Sequence, residues 1–219
     1  MKTYKAVAFD LDGTLLNTLE DLKEALNYTM SAMNCPLRTL DETRNFVGNG
    51  IRKLLERALP EGKRGEEYVS RAYEIFCDYY AQHDADCTVP YDGICSLLEK
   101  LSVRGVRLAV ISNKADFAVR ALCKRFFGDI FAVVIGAGDA LPHKPDPTGL
   151  LAAMREMNVS PEDTVYVGDS DVDCYTAKNA EVDCISVSWG FRPRALLSSL
   201  HPLAVVDSAA QLQKILLGE

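Results

Sequence analysis

No run of apolar residues approaches the ~20 that a membrane-spanning helix requires; the longest spans 130–138. No two of the seven cysteines form a C-x-x-C pair, and their number is odd. A disulfide framework and a cysteine zinc site are both disfavoured, and free thiols in a reduced, cytoplasmic chain are expected. Only three histidines occur, without H-x-x-x-H spacing, so an imidazole metal centre is not expected. Positive charge is in deficit as well. Lys plus Arg number 24 against 31 Asp plus Glu, giving −7 overall and a pI near 5.1. A nucleic-acid binder normally carries a basic footprint, and none is present in bulk. An anionic small molecule is not excluded, since one pocket can be locally positive. The start, MKTYKAVAFD, reaches Asp10 too early for a secretory leader.

What remains is ordinary globular composition, 48% hydrophobic and 25% charged over 219 residues. A chain of this size buries ~70% of its extended surface and needs no staples. Short β-rich runs recur at Lys5–Phe9, Val106–Ile111, Ala132–Ile135, Thr164–Val167 and Asp183–Val187, with a weaker one at Leu203–Val206. Helical patterns fall between them at Ile94–Arg104, Phe117–Phe127, Thr148–Met157, Asp171–Asn179 and Ala209–Leu217. Strands alternating with helices of this length predict an α/β, Rossmann-like core with a parallel β-sheet flanked by helices. Between Leu15 and about Asp86 no convincing strand occurs. Glu20–Met33, Ile51–Leu59 and Tyr68–Tyr80 carry apolar residues at helical spacing instead. We therefore expect a core of residues 1–14 and 87–219, with an inserted α-helical domain at 15–86.

Ligands of an open parallel sheet bind beyond the carboxyl ends of its strands. Asp10-Leu11-Asp12-Gly13-Thr14 follows the first strand and Ser112-Asn113-Lys114 the second. His143-Lys144-Pro145-Asp146 comes shortly after the third, and Gly168-Asp169-Ser170-Asp171-Val172-Asp173 follows the fourth. These ends deliver carboxylates, a hydroxyl, an amide and a lysine to one edge.

DLDGT, ISN, HKPDP and GDSDVD, in this order, resemble the four motifs of the haloacid dehalogenase superfamily, and the 15–86 insert stands where that family carries a helical cap. FVGNGIRKLLERAL and SVSWGFRPRALL are similar to stretches of its phosphoglycolate phosphatase-like group. The resemblance implies a Mg²⁺-dependent phosphatase of a small phosphorylated metabolite. Asp10 would be nucleophile and metal ligand, forming an aspartyl-phosphate. Asp12 would be general acid and base, with its carbonyl on the metal. Asp169 would be a further ligand and Asp173 a ligand or the holder of one. Lys144 would face the phosphoryl oxygens, which Gly13, Thr14, Ser112 and Asn113 would also bind. In the insert, Gly48, Asn49 and Arg52 would form a specificity loop, with Arg52 meeting a substrate carboxylate. A plain turn and a solvated arginine weigh equally there.

Asp169 or Ser170 could instead simply cap the helix that follows. Trp189 reads as packing, Arg192 and Arg194 as surface charges, and His143 as a loop residue. Asn17 departs from an aspartate frequent in the family without touching a motif carboxylate. Alternative readings are a phosphomutase of the β-phosphoglucomutase type, or a pyrophosphatase or sugar or nucleotide phosphatase. A phosphonate hydrolase would need a Schiff-base lysine, and nothing marks out Lys53. A non-catalytic binding module would have no need of Asp10 and Asp12. No nucleic-acid or membrane partner is expected, and a monomer or homodimer fits.

Overall fold

The computed structural model describes residues 2–138 and 141–218. Two compact units are present, one formed by the chain up to Leu16 and from Pro90 onward, the other by Asn17–Val89.

The first unit is a parallel six-stranded sheet flanked by helices. Its strands are β1 (Ala6–Phe9), β4 (Arg107–Ala115), β5 (Val133–Ala137), β6 (Thr164–Gly168), β7 (Asp183–Val187) and β8 (Ala204–Val206), in the order β5-β4-β1-β6-β7-β8. The AVAF sequence of β1 is buried throughout because it sits centrally, paired with β4 and β6. Strands buried on both faces read as continuous apolar runs. Phe9 lies level with Val110 on one side and Val167 on the other. The ends of β1 and β6 therefore finish together beside β4, which runs on to Ala115, where the winding changes direction. Helices α7 (Thr148–Met157) and α8 (Asp171–Asn179) cover one face, where Leu150, Met154 and Ala177 meet Ala6, Ala8, Ile111 and Tyr166. The unit also contains α5 (Ile94–Val103), α6 (Asp116–Phe127), α9 (Arg194–Ser199) and α10 (Ala209–Leu217).

The second unit is helical, with α1 (Leu19–Ala32), α2 (Leu40–Phe46), α3 (Gly50–Ala58) and α4 (Glu66–Tyr80). Leu26, Met30, Leu55, Leu59 and Phe76 form its own core. Asp21, 2% exposed, accepts the backbone N–H groups of Cys87 and Thr88 at 2.9 and 2.8 Å and the Thr88 hydroxyl at 2.6 Å. Those bonds tie the end of the unit back to its first helix. The expected absence of strands has one exception, β2 (Leu16–Asn17), which joins β3 (Val89–Pro90) in a two-stranded sheet. No helix among the described residues is long and apolar enough to cross a membrane.

Candidate active site

Asp10 is the first residue past β1, and its N–H extends the ladder to the Val167 carbonyl at 2.9 Å. That bond points its side chain across the strand ends. There its carboxylate meets the Lys144 ammonium at 2.8 Å. Lys144 also touches Asp173 Oδ1 at 2.7 Å and the Tyr166 hydroxyl at 3.0 Å. Tyr166 in turn donates to the Ile111 carbonyl at 3.0 Å. The lysine comes from a loop, so something must place it. Asn113 does so with both ends of its amide: its Oδ1 accepts the Lys144 N–H at 2.7 Å and its Nδ2 donates to the Lys144 carbonyl at 3.1 Å.

Asp169 arrives from the turn between β6 and α8, and Asp173 from the first turn of α8. Ser170 caps that helix, its hydroxyl accepting the Asp173 N–H at 3.3 Å, while Asp173 Oδ2 accepts the Ser170 N–H at 3.0 Å and hydroxyl at 2.6 Å. The capping reading of Ser170 is thus correct, and the same cap orients Asp173 toward Lys144. Asp169 accepts the Thr14 hydroxyl on Oδ1 at 3.0 Å and the Phe191 N–H on Oδ2 at 2.7 Å. Gly13 has φ +88, and a Cβ there would lie 2.5–2.9 Å from the Asp169 carboxylate. Conformation and space both require glycine at that turn.

One oxygen each from Asp10, Asp169 and Asp173 converge within 4.8 Å of one another, all three residues buried. Such hard oxygen donors fit a divalent cation. The electrostatics agree. Burial pushes the Asp10 carboxyl up to about 7; Lys144 opposes the rise, and Asp173 and Asp12 add to it. Burial also holds Asp169 well above the usual carboxylate range, reinforced by Asp173 and Asp10. Lys144 stands well above its ordinary value, because Asp10 and Asp173 outweigh the opposing effect of burial. The cluster is short of positive charge, which a divalent cation would supply.

Asp12 makes a 3.1 Å ion pair with Lys114, a buried residue that reasoning from sequence passed over. Ser112 is buried too, and its Oγ accepts the Lys114 N–H at 3.2 Å. Tyr166 and Phe191 were also not foreseen; each looks like core in sequence. Trp189, read as packing, donates its indole N–H to the Thr14 carbonyl at 3.1 Å. Gly48, Asn49 and Arg52 belong to the helical unit. Asn49 accepts from Arg57 at 2.7 Å, and Arg52 pairs with Glu66 and reaches Ser70 at 3.3 Å. The His143 carbonyl accepts the Asp146 N–H in a turn, at 3.0 Å. All seven cysteines are free thiols.

A family model described as haloacid dehalogenase-like hydrolase matches residues 7–187. The phosphoglycolate phosphatase of Psychrobacter arcticus is 36% identical over 218 residues, covering 95% of this chain and 94% of that protein. Phosphoglycolate phosphatase 1 of Pseudomonas aeruginosa is 35% identical over 214 residues, covering 95% of this chain and 78% of its own length. A crystal structure from Lactobacillus delbrueckii subsp. bulgaricus superposes with a TM-score of 0.95 at 34% identity, over 99% of this chain and 100% of the other.

Proposed function

The chain belongs to the haloacid dehalogenase-like hydrolases and is a phosphoric monoester hydrolase; within that class we propose that it is a Mg²⁺-dependent phosphatase of small carboxylated phosphomonoesters of the phosphoglycolate type. The observation that carries the reading is the buried cluster of Asp10, Asp169 and Asp173 around Lys144, at the end of the central strand. Relatives named for phosphoglycolate support the substrate class. The free thiols support a reducing, cytoplasmic setting.

Asp10 and Asp169 would hold Mg²⁺, with the Asp12 carbonyl and Asp173 completing the protein's share. When bound, Mg²⁺ neutralises charge on the phosphoryl oxygens. An Asp10 oxygen attacks phosphorus in line with the leaving oxygen. The P–O bond to the substrate alcohol breaks as the acyl-phosphate bond forms. Asp12 gives its proton to the departing alkoxide. It then takes one from the water that attacks the aspartyl-phosphate, returning Asp10 as carboxylate and releasing phosphate. Lys144 stands 2.8 Å from Asp10 and lowers the cost of assembling anions there. The Ser112 hydroxyl, the Asn113 backbone, Gly13 and Thr14 contribute further contacts to the phosphoryl group. The helical unit acts as the cap, its Gly48–Asn49 turn and Arg52 selecting the leaving group.

Phosphate release from a panel of phosphomonoesters, with Mg²⁺ and again with chelator, tests the reading. Chelator-sensitive release that peaks on phosphoglycolate and disappears in Asp10→Asn supports it. Isomerised sugar phosphate without release would replace it with a mutase, and undiminished turnover by Asp10→Asn would remove the aspartyl-phosphate route.

A further inference from the structure

The segment Trp189-Gly190-Phe191 lies in the loop between β7 and α9, far in sequence from every motif residue it touches. Its three residues meet Asp169 and the Gly13–Thr14 turn between them. The Trp189 indole N–H holds the Thr14 carbonyl at 3.1 Å, while the Thr14 hydroxyl holds Asp169 Oδ1 at 3.0 Å. The Phe191 backbone N–H holds Asp169 Oδ2 at 2.7 Å. Between them, Gly190 presses so close that a Cβ would overlap Asp169 Oδ2, Asp169 Cβ and the Gly13 carbonyl. Its φ is not in the left-handed region, so the need for glycine here is one of space alone. Asp169 is 1% exposed.

Packing does not account for this pattern. A tryptophan that only filled volume would not require an indole N–H aimed at one carbonyl. Nor would filling require two neighbours in sequence to close on the same carboxylate. Tyr91 sits beside the indole, ring centroids 6.2 Å apart, and steadies it from the outside. The loop thus fixes Asp169 Oδ2 and the Thr14 carbonyl directly, and Asp169 Oδ1 through the Thr14 hydroxyl.

We infer that Trp189, Gly190 and Phe191 form a positioning clamp that holds Asp169 and the Gly13–Thr14 turn in register and so sets how tightly the site binds its divalent cation. This rests on the reading of Asp169 as a metal ligand. Mg²⁺ demands near-ideal octahedral geometry, so a carboxylate free to rotate loses affinity. Partners that orient a metal ligand typically govern 10–100-fold in metal affinity. Trp189 is a positioning residue here and touches neither metal nor substrate.

Trp189→Phe removes the N–H and keeps a ring. Mn²⁺ binding to the metal-free protein, followed by electron paramagnetic resonance of the free ion, reads the result without turnover. The dissociation constant should rise roughly 10-fold or more in Trp189→Phe. KM for p-nitrophenyl phosphate at saturating metal, and the melting temperature in chelator, should change little. Gly190→Ala should weaken binding further, with Mn²⁺ titrated only if the variant retains the parent's circular dichroism. Asp169→Ala is the control for the underlying reading and should abolish binding. Loss in Asp169→Ala with unchanged affinity in Trp189→Phe would overturn the clamp and leave the metal site standing. Unchanged affinity in Asp169→Ala would instead remove the metal reading itself. A Trp189→Phe protein that melts lower in chelator but binds Mn²⁺ normally would make the residue a packing element.

Discussion

The Lys114 ammonium lies 3.1 Å from Asp12 Oδ1, joining the end of β4 to the turn after β1. Neither side chain is more than 16% exposed. The contact depends on an irregularity. Between Ile111 and Ala115 the pairing of β4 with β5 shifts register, and such a bulge re-aims a side chain next to a site. Gly136 on β5 makes room for it, since a Cβ there would overlap the backbone of Asp116. Lys114 thus sets the orientation of the carboxylate proposed to handle the leaving group's proton.

Lys114→Met should therefore slow the chemistry according to leaving group. For an alkyl phosphate, whose alkoxide must be protonated, kcat should fall roughly 100-fold, the scale of a misplaced catalytic group. For the formation of aspartyl-phosphate from p-nitrophenyl phosphate, which needs no proton, the loss should be several-fold smaller. Single-turnover kinetics on both substrates check this. Equal losses would mean that Lys114 does not act through Asp12.

Lys144→Met removes the cation that bridges Asp10 and Asp173. A pair at this range is worth ~4 kcal/mol at an effective dielectric of 20, so turnover should fall by about 10³. The pH dependence of stability should steepen. Asp10 already stands at about 7, above its unfolded value, and Lys144 is what opposes the rise. A carboxyl raised in the folded state contributes stability below its unfolded pKa and loses it as pH rises through the folded one. In chelator, the melting-temperature deficit of the variant should be larger at pH 8 than at pH 5. A deficit independent of pH would show that Lys144 does not offset buried charge.

The fold was legible where burial is two-sided or ends are capped. Strands such as AVAF and TVYV are buried end to end, so composition alone marks them. The expected bounds of α8 and α10 coincide with the observed ones, and each starts at a serine that caps it, Ser170 and Ser208. Helix α2 escaped notice because LDETRNF buries only Thr43 and so has no apolar stripe. Its capping box, Thr39 with Glu42, was the available signal. Within the site, Asp10, Lys144, Asp169 and Asp173 follow strands or near-strand loops, where topology alone brings them together. The roles of Lys114 and Trp189 were hidden for different reasons. One depends on a bulge that apolar patterning does not encode, the other on a hydrogen bond spanning 175 positions.

Asp21 carries a prediction for the helical unit. Asp21→Ala strands the N–H groups of Cys87 and Thr88, while the Thr88 hydroxyl keeps the Asp84 carbonyl at 3.3 Å. Hydrogen bonds to a charged group are worth roughly 1.5–3 kcal/mol each, so a total loss of about 3 kcal/mol or more is expected. Urea denaturation followed by tryptophan fluorescence would miss it, because Trp189 lies in the other unit. Circular dichroism at 222 nm should instead show the helical transition moving to lower urea. An unchanged transition would mean that water replaces these bonds without cost.

Arg52 tests the proposed selection of leaving groups. It pairs with Glu66 on the helical unit, both side chains well exposed, and an exposed pair of this kind is held weakly. Its guanidinium can therefore be surrendered to a substrate carboxylate, which it is shaped to grip with two hydrogen bonds. If it does so, Arg52→Ala should raise KM for phosphoglycolate roughly 10-fold, the effect of one charge-assisted bond, and leave KM for ethyl phosphate unchanged. Glu66→Gln, which releases the arginine, should lower KM for phosphoglycolate slightly. The comparison isolates the carboxylate because the two esters share the phosphoryl group and differ at the far carbon. Parallel changes for both esters would make Arg52 a surface residue and move the source of selectivity elsewhere.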